Sequence, residues 1–209
     1  MTKTSNRFDT EALKWDQKPM HVERATAVAK QLLKQVEPTE NCDALEFGCG
    51  TGLLGFTLLS HLGRLTFCDI SQPMLNQVKE KIDGWKLSNA TTIQANLSEK
   101  PLKGKKYDLI FSLMTLHHIA DLERTIRNLT EMLQPGGILC IADLNEDDGS
   151  YHLNQHTEHH GINQEMLKAL FLKYGLKQVE ASVPYIIQKN LEGTSHEYPV
   201  FLMSGRKSE

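Results

Sequence analysis

Residues 42–55, CDALEFGCGTGLLG, constrain the fold of this chain more than any other stretch. An apolar run with an acidic residue near its end reads as a short buried strand. The run then breaks into glycines, and over 51–61 the spacing of Leu54 and Leu58, continued by Leu62, predicts a helix. A strand that turns through glycines into a helix start is a nucleotide-binding device. The glycines let backbone approach a ligand closely, and the unpaired N–H groups of the helix start face it. No Lys or Arg lies between Cys42 and Gly63, and no G-x-x-x-x-G-K-[ST] pattern occurs, so nothing here answers a triphosphate. Gly50 to Gly55 satisfies G-x-G-x-x-G, which opens a dinucleotide reading. Gly48 precedes it directly after the strand, however, and the fuller pattern is Glu46-x-Gly48-x-Gly50-x-Gly52.

The rest of the chain repeats strand and helix. Residues 65–70 form a second strand with Asp69 near its end, about twenty residues past the glycines, where a carboxylate meets a ribose diol. Two acceptor oxygens match two adjacent hydroxyl donors. Ser71 is placed to cap the next helix, whose buried stripe is Met74, Val78 and Ile82. Residues 90–95 and 107–112 read as the third and fourth strands, and 138–143, fed by a Pro135-Gly136-Gly137 turn, as the fifth. Between the last two, Asp121 caps a helix whose Leu122, Ile126, Leu129 and Leu133 face the sheet.

Ahead of the first strand, residues 1–8 read as a frayed end, and 8–15 and 19–36 as helices, the second with Val22, Ala25, Ala29, Leu32 and Leu33 on its buried face. Gly63 is the expected C-cap of the glycine-loop helix. After a polar loop at 144–161, Asn163 caps a helix through Lys173, and 177–187 and 197–204 close the chain as strands. This alternation predicts an α/β doubly wound, mostly parallel sheet with helices on both faces. Ligands bind such sheets at the strand carboxyl ends. Gly48, Asp69, Asn96, Ser112 and Asp143 all fall there.

The acidic-x-Gly-x-Gly-x-Gly run resembles the first motif of the class I S-adenosylmethionine-dependent methyltransferases. There the loop wraps the amino-acid end of a cofactor without phosphates, which fits a loop without basic residues. YDLIFS at 107–112, followed by LHHI at 116–119, looks like the branch with small-molecule and lipid acceptors. The late Pro-Gly-Gly turn is a second match. The Asn/Asp-Pro-Pro-aromatic signature of enzymes acting on planar nitrogens is absent, which lowers nucleobase and glutamine acceptors.

The resemblance implies a Rossmann-like seven-stranded sheet with its last strand antiparallel, and an N-terminal helical leader. It implies one domain over 1–209, with a leader or lid at 1–40, a cofactor-binding core at 41–145 and acceptor-side loops and strands at 146–209. It places S-adenosylmethionine against Trp15, Glu46, Gly48, Cys49, Gly50, Gly52, Asp69, Ile70, Met74, Asn96, Leu97, Ser112 and His117, with S-adenosylhomocysteine as product. Asn96 departs from the family's usual Asp, although its carbonyl can accept from an adenine amino group without bringing a charge. Trp15 is either part of a lid, with Phe8, Asp9 and Asp16, or a packing anchor.

An activated methyl group asks the protein for alignment, exclusion of water and removal of the acceptor's proton. Histidine suits the last task, and His117, His118 and His160 are the candidates, a ring-to-backbone structural role being the alternative for His117. The loop histidines His152, His156, His159 and His160 read as solvated loop, acceptor pocket or, with Asp147 or Asp148, a metal site; no H-E-x-x-H spacing occurs, and no metal is assigned.

A net charge of -3 argues against a sequence-independent grip on nucleic acid, and the basic cluster Lys100, Lys103, Lys105 and Lys106 reads as a solvated loop. No apolar run is long enough to span a membrane, residues 1–7 have no signal-type apolar core, and the four scattered cysteines suggest a reducing cytoplasm. The expected function is methyl transfer to a small molecule. The alternatives are an NAD-dependent oxidoreductase and a catalytically silent cofactor-binding partner subunit.

Overall fold

The structure is a computed structural model and describes residues 9–153 and 157–209. The expectations for residues 1–8 and for His156 lie outside these. Seven strands form one sheet: β1 (Asp43–Phe47), β2 (Arg64–Asp69), β3 (Ala90–Gln94), β4 (Tyr107–Leu113), β5 (Leu133–Leu144), β6 (Leu176–Leu191) and β7 (Thr194–Lys207). Their order is β3-β2-β1-β4-β5-β7-β6. β1 to β5 run parallel, and β7 runs antiparallel to both β5 and β6. The expected mostly parallel sheet with its last strand antiparallel is what forms. Glu192 and Gly193, at φ 51° and 84°, make the two-residue turn joining β6 to β7.

Period-two alternation along the strands builds two cores. Ala44, Leu65, Leu109 and Phe111 face one side; Leu45, Ile110, Leu139 and Ile141 face the other. The inner strands are apolar on both faces because helices cover both. Pro19–Val36, Leu53–Leu58 and Gln72–Gly84 lie on the first face, Leu122–Glu131 and Gln164–Lys173 on the second. Ser71, Asp121 and Asn163 cap their helices as expected, each accepting a backbone N–H three residues on.

Local differences have physical causes. The glycine-loop helix starts at Leu53, after Gly52, and tightens into a 3₁₀ turn at Leu59–His61. The leader's first segment continues as a 3₁₀ turn over Ala12–Gln17. In the long leader helix Val22 is exposed; the buried stripe is His21, Arg24, Ala25, Val28, Ala29 and Leu32, so two polar side chains take its crevice end. β6 and β7 outrun their apolar stretches because each extends the hairpin ladder of the other.

Gly63 is not a left-handed cap. A Cβ there would stand 2.5 Å from the Glu40 carbonyl oxygen, so glycine is required by close backbone approach. Gly63→Ala and Gly63→Asn should therefore each destabilise the fold by about 1–3 kcal/mol in urea melts; a left-handed cap would instead tolerate Asn.

Candidate functional site

The site begins at the carboxyl end of β1. Gly48, Gly50 and Gly52 all hold positive φ, at 64°, 52° and 80°. Thr115, from the loop after β4, occupies the space a Gly48 side chain would need, and its hydroxyl donates to the Gly48 carbonyl at 3.2 Å. At Gly50 the opposite holds. A Cβ would meet only the Met74 sulfur, at 4.0 Å, and would otherwise stand in an open crevice.

Asp69 fixes this loop. One carboxylate oxygen accepts the Gly50 N–H at 2.8 Å and the other the Ser71 N–H at 2.8 Å. Burial pushes the Asp69 carboxyl above the usual range, with those two amides working against it. Burial raises the Glu46 carboxyl well above its usual range too, with the Gly55 amide working against it, and its Oε2, packed against Gly55, makes no well-aligned hydrogen bond among the described residues. The result is a cavity of about 380 Å³ at the strand carboxyl ends, bounded by Gly48, Gly50, Asp69, Met74, Met114 and His118 among others. A buried acidic side chain and a side-chain-free cradle fit a ligand bearing a cationic amino-acid end and a sugar diol.

The leader straps across this crevice. Asp16 accepts from the Thr51 hydroxyl at 2.5 Å and pairs with Lys81 at 2.6 Å, and Lys81 also donates to the Thr51 carbonyl. The Ser71 hydroxyl donates to Asp9 at 2.6 Å. Trp15 serves both readings, lining the cavity while its ring lies 4.3 Å from that of His21. Burial, then the nearby Arg24 and Lys18 charges, pull His21 down to about 4.

Trp15, Glu46, Gly48, Cys49, Gly50, Asp69, Ile70, Met74, Asn96 and His118 all border the cavity. The remaining expected positions do not. Leu97 is fully buried in the second core. The Ser112 hydroxyl is buried and donates to the Phe47 carbonyl at 2.8 Å, tying β4 to β1. Gly52 faces Phe56 and Phe67. His160 packs against Gly149. Asn96 borders the cavity, but its carbonyl oxygen already accepts from the Ser98 N–H and hydroxyl, at 3.2 and 2.6 Å, which staples its own loop.

His117 is 1% exposed, behind the wall, with Nδ1 held at 2.5 Å by Asp143. Burial works to raise the Asp143 carboxyl, but the His117 ring and the Leu144 N–H outweigh it and hold the group below its usual value. His118 packs against His117, with ring centres 4.0 Å apart and planes tilted by 50°, and reaches the crevice. His159 ties the acceptor-side loop down through the carbonyls of His117 and Ile119. No group of three or more His, Cys, Asp or Glu poised for a metal occurs among the described residues.

Sequence reasoning missed Arg24, His21 and Lys81. The first two interrupt an apolar helix stripe, and that interruption was the available signal. Lys81 gave none, because only the fold brings it back to Thr51.

The family described as a methyltransferase domain matches residues 45–139. An uncharacterized methyltransferase of Schizosaccharomyces pombe is 28% identical over 152 residues, covering 65% of this chain and 54% of that protein. Malonyl-[acyl-carrier protein] O-methyltransferase 2 of Ilyobacter polytropus is 35% identical over 105 residues, 49% of this chain and 39% of that one. The chain thus spans about half or less of the length of these curated relatives. The N-methyltransferase NodS of Bradyrhizobium japonicum, solved with S-adenosylhomocysteine, superposes with a TM-score of 0.75 at 20% identity, covering 100% of both chains. Residues 45–139 are thus similar to a methyltransferase domain, and the whole chain shares its fold with solved methyltransferases. The dinucleotide alternative finds no support, since an antiparallel β7 wedged between β5 and β6 is not the dinucleotide-binding strand order.

The low His21 value has a consequence for pH. Between its ordinary 6.5 and about 4 the unfolded chain binds a proton that the folded leader refuses. Leader stability should be full above pH 6.5 and fall as pH drops toward 4. Hydrogen exchange of the leader across this range should show the loss, and His21→Gln should flatten it. Separately, Lys81→Met should raise leader exchange at neutral pH while leaving β1–β5 protection intact.

Proposed function

We propose that this chain moves a methyl group from S-adenosylmethionine to a small-molecule acceptor, with S-adenosylhomocysteine as the second product. The observation that carries the reading is the Gly50 cradle pinned by Asp69: open backbone, no basic side chain in the loop, and a carboxylate beside it. Bound there, the cofactor supplies an already activated methyl group for in-line displacement.

The chain's own residues do the rest. Asp69, held by the amides of Gly50, Ser71 and Ile70, keeps acceptor capacity for a ribose hydroxyl. Glu46, at the cavity border, offers its carboxylate to the cationic amino-acid end. Ile70, 51% exposed, and Met74 present apolar surface to a purine. The adenine edge is left to the backbone of the loop after β3, because the Asn96 carbonyl is already engaged. The strapped leader excludes water.

His118, at the wall, takes the acceptor's proton. His117, pinned by Asp143, holds the His118 ring in place through their tilted ring contact. The acceptor lies under the loop after β5. One methyltransferase domain over 1–209 is the proposed organisation. A cytoplasmic setting is supported by four free, buried cysteines. No helix among the described residues is long and apolar enough to cross a membrane.

Calorimetry tests the cofactor. S-adenosylhomocysteine should bind and NAD should not; the reverse result overturns the reading. Asp69→Ala should weaken S-adenosylhomocysteine binding by ~1–3 kcal/mol. With labelled S-adenosylmethionine and a metabolite panel, His118→Ala should lower kcat about tenfold or more at unchanged cofactor affinity.

A further inference from the structure

Arg24 is the least expected group in the molecule. It sits on the buried stripe of the helix Pro19–Val36, is 5% exposed, and borders the crevice. Its Nε has no hydrogen-bond partner, and its guanidinium makes no ion pair among the described residues. Arg124 in the same wall is different, pairing with Asp121 at 3.0 Å.

The groups around Arg24 are Tyr151, within hydrogen-bond range, then Asp143 and Tyr185. Asp143 is committed elsewhere: it accepts from His117 Nδ1, the Leu116 N–H and the Leu144 N–H at 2.5, 2.8 and 2.7 Å. The Tyr185 hydroxyl donates to Glu23 at 3.2 Å. Burial draws the Arg24 value downward, and Tyr151, Asp143 and Tyr185 work against it without outweighing it.

Burying a charge with no ion-pair partner costs several kcal/mol. Such a charge is retained where a ligand completes it. The position identifies which ligand. Tyr151, Asp143 and Tyr185 belong to the β5 end, the loop after it and β6. The glycine loop, Asp69 and Asn96 lie toward the β1–β3 side.

We propose that Arg24 seats an oxyanion carried by the methyl acceptor, a carboxylate or phosphate gripped by the guanidinium fork where the helix Pro19–Val36 borders the crevice, on its side toward Tyr151, Asp143 and Tyr185. This rests on the methyl-transfer reading and narrows its substrate class to small anionic molecules. Two parallel N–H···O bonds are the geometry a guanidinium offers to either group, and lysine cannot reproduce it.

The test is calorimetric titration of the protein, with and without S-adenosylhomocysteine, using malonate, inorganic phosphate and neutral malonamide. Wild type should bind malonate or phosphate and not malonamide, and the two anions separate a carboxylate seat from a phosphate seat. Arg24→Met should weaken that anion at least tenfold, keep S-adenosylhomocysteine affinity within twofold, and melt no lower than wild type, because a lone buried charge has been removed. Arg24→Lys, which keeps the charge and loses the fork, should bind the anion at intermediate strength and guards against a misfolded Met variant.

Anion binding unaffected by both substitutions overturns the proposal, as does the absence of any anion binding to wild type. A tenfold loss of S-adenosylhomocysteine affinity in Arg24→Met overturns it too, by assigning the charge to the cofactor's own carboxylate. Failure of wild type to bind S-adenosylhomocysteine sinks the methyl-transfer reading instead, and the anion titrations without it still judge Arg24.

Discussion

The bridge made by Asp69 underlies the rest of the crevice. One buried carboxylate takes a glycine-loop amide on one oxygen and the amide of the next helix's cap residue, Ser71, on the other. The turn after β1 and the turn after β2 are thereby locked at a single spacing. The Cys49 N–H, donating to the Cys68 carbonyl at 3.0 Å, repeats the tie one residue earlier. A loop of left-handed glycines has no side chains with which to fix itself and would otherwise sample many conformations. Binding of the cofactor then requires no reordering of this wall, because its backbone donors and acceptors are already placed.

Much of this was legible in the chain because strand ends and helix starts are written in local residue chemistry. Ser71, Asp121 and Asn163 announce helix starts through side-chain oxygens that reach a nearby amide, a contact spanning three residues. The layered, mostly parallel sheet follows from alternating elements. What stayed hidden depends on distant segments meeting. Ser112 stands at the right strand end, yet its hydroxyl turns to the neighbouring strand. Asn96 has the right chemistry, yet Ser98, two residues on, claims its oxygen first. Gly63 carries the residue type of a cap for an unrelated reason, the passage of residue 40 over it.

The two neighbouring histidines show how adjacent identical residues come to differ. His117 points into the protein, where Asp143 and the amides around it consume every available contact. His118, one position further along a 3₁₀ turn, points outward to the crevice. A short tight turn rotates successive side chains far apart, so one ring is buried and the next borders the crevice. Asp143, near the end of β5, anchors that division from beneath.

The placement of β7 governs the order in which these parts come into being. β1 to β4, with the glycine loop and Asp69, can associate as soon as they have been synthesised. β5 gains its second neighbour only after Thr194–Lys207 has emerged, and β6 gains its only one at the same moment. On the ribosome the nucleotide-facing half of the molecule is therefore ready first, while Arg24 still faces an unfinished neighbourhood. During that interval an apolar strand edge stands open, and the nascent protein depends on the speed of its last hairpin to hide it.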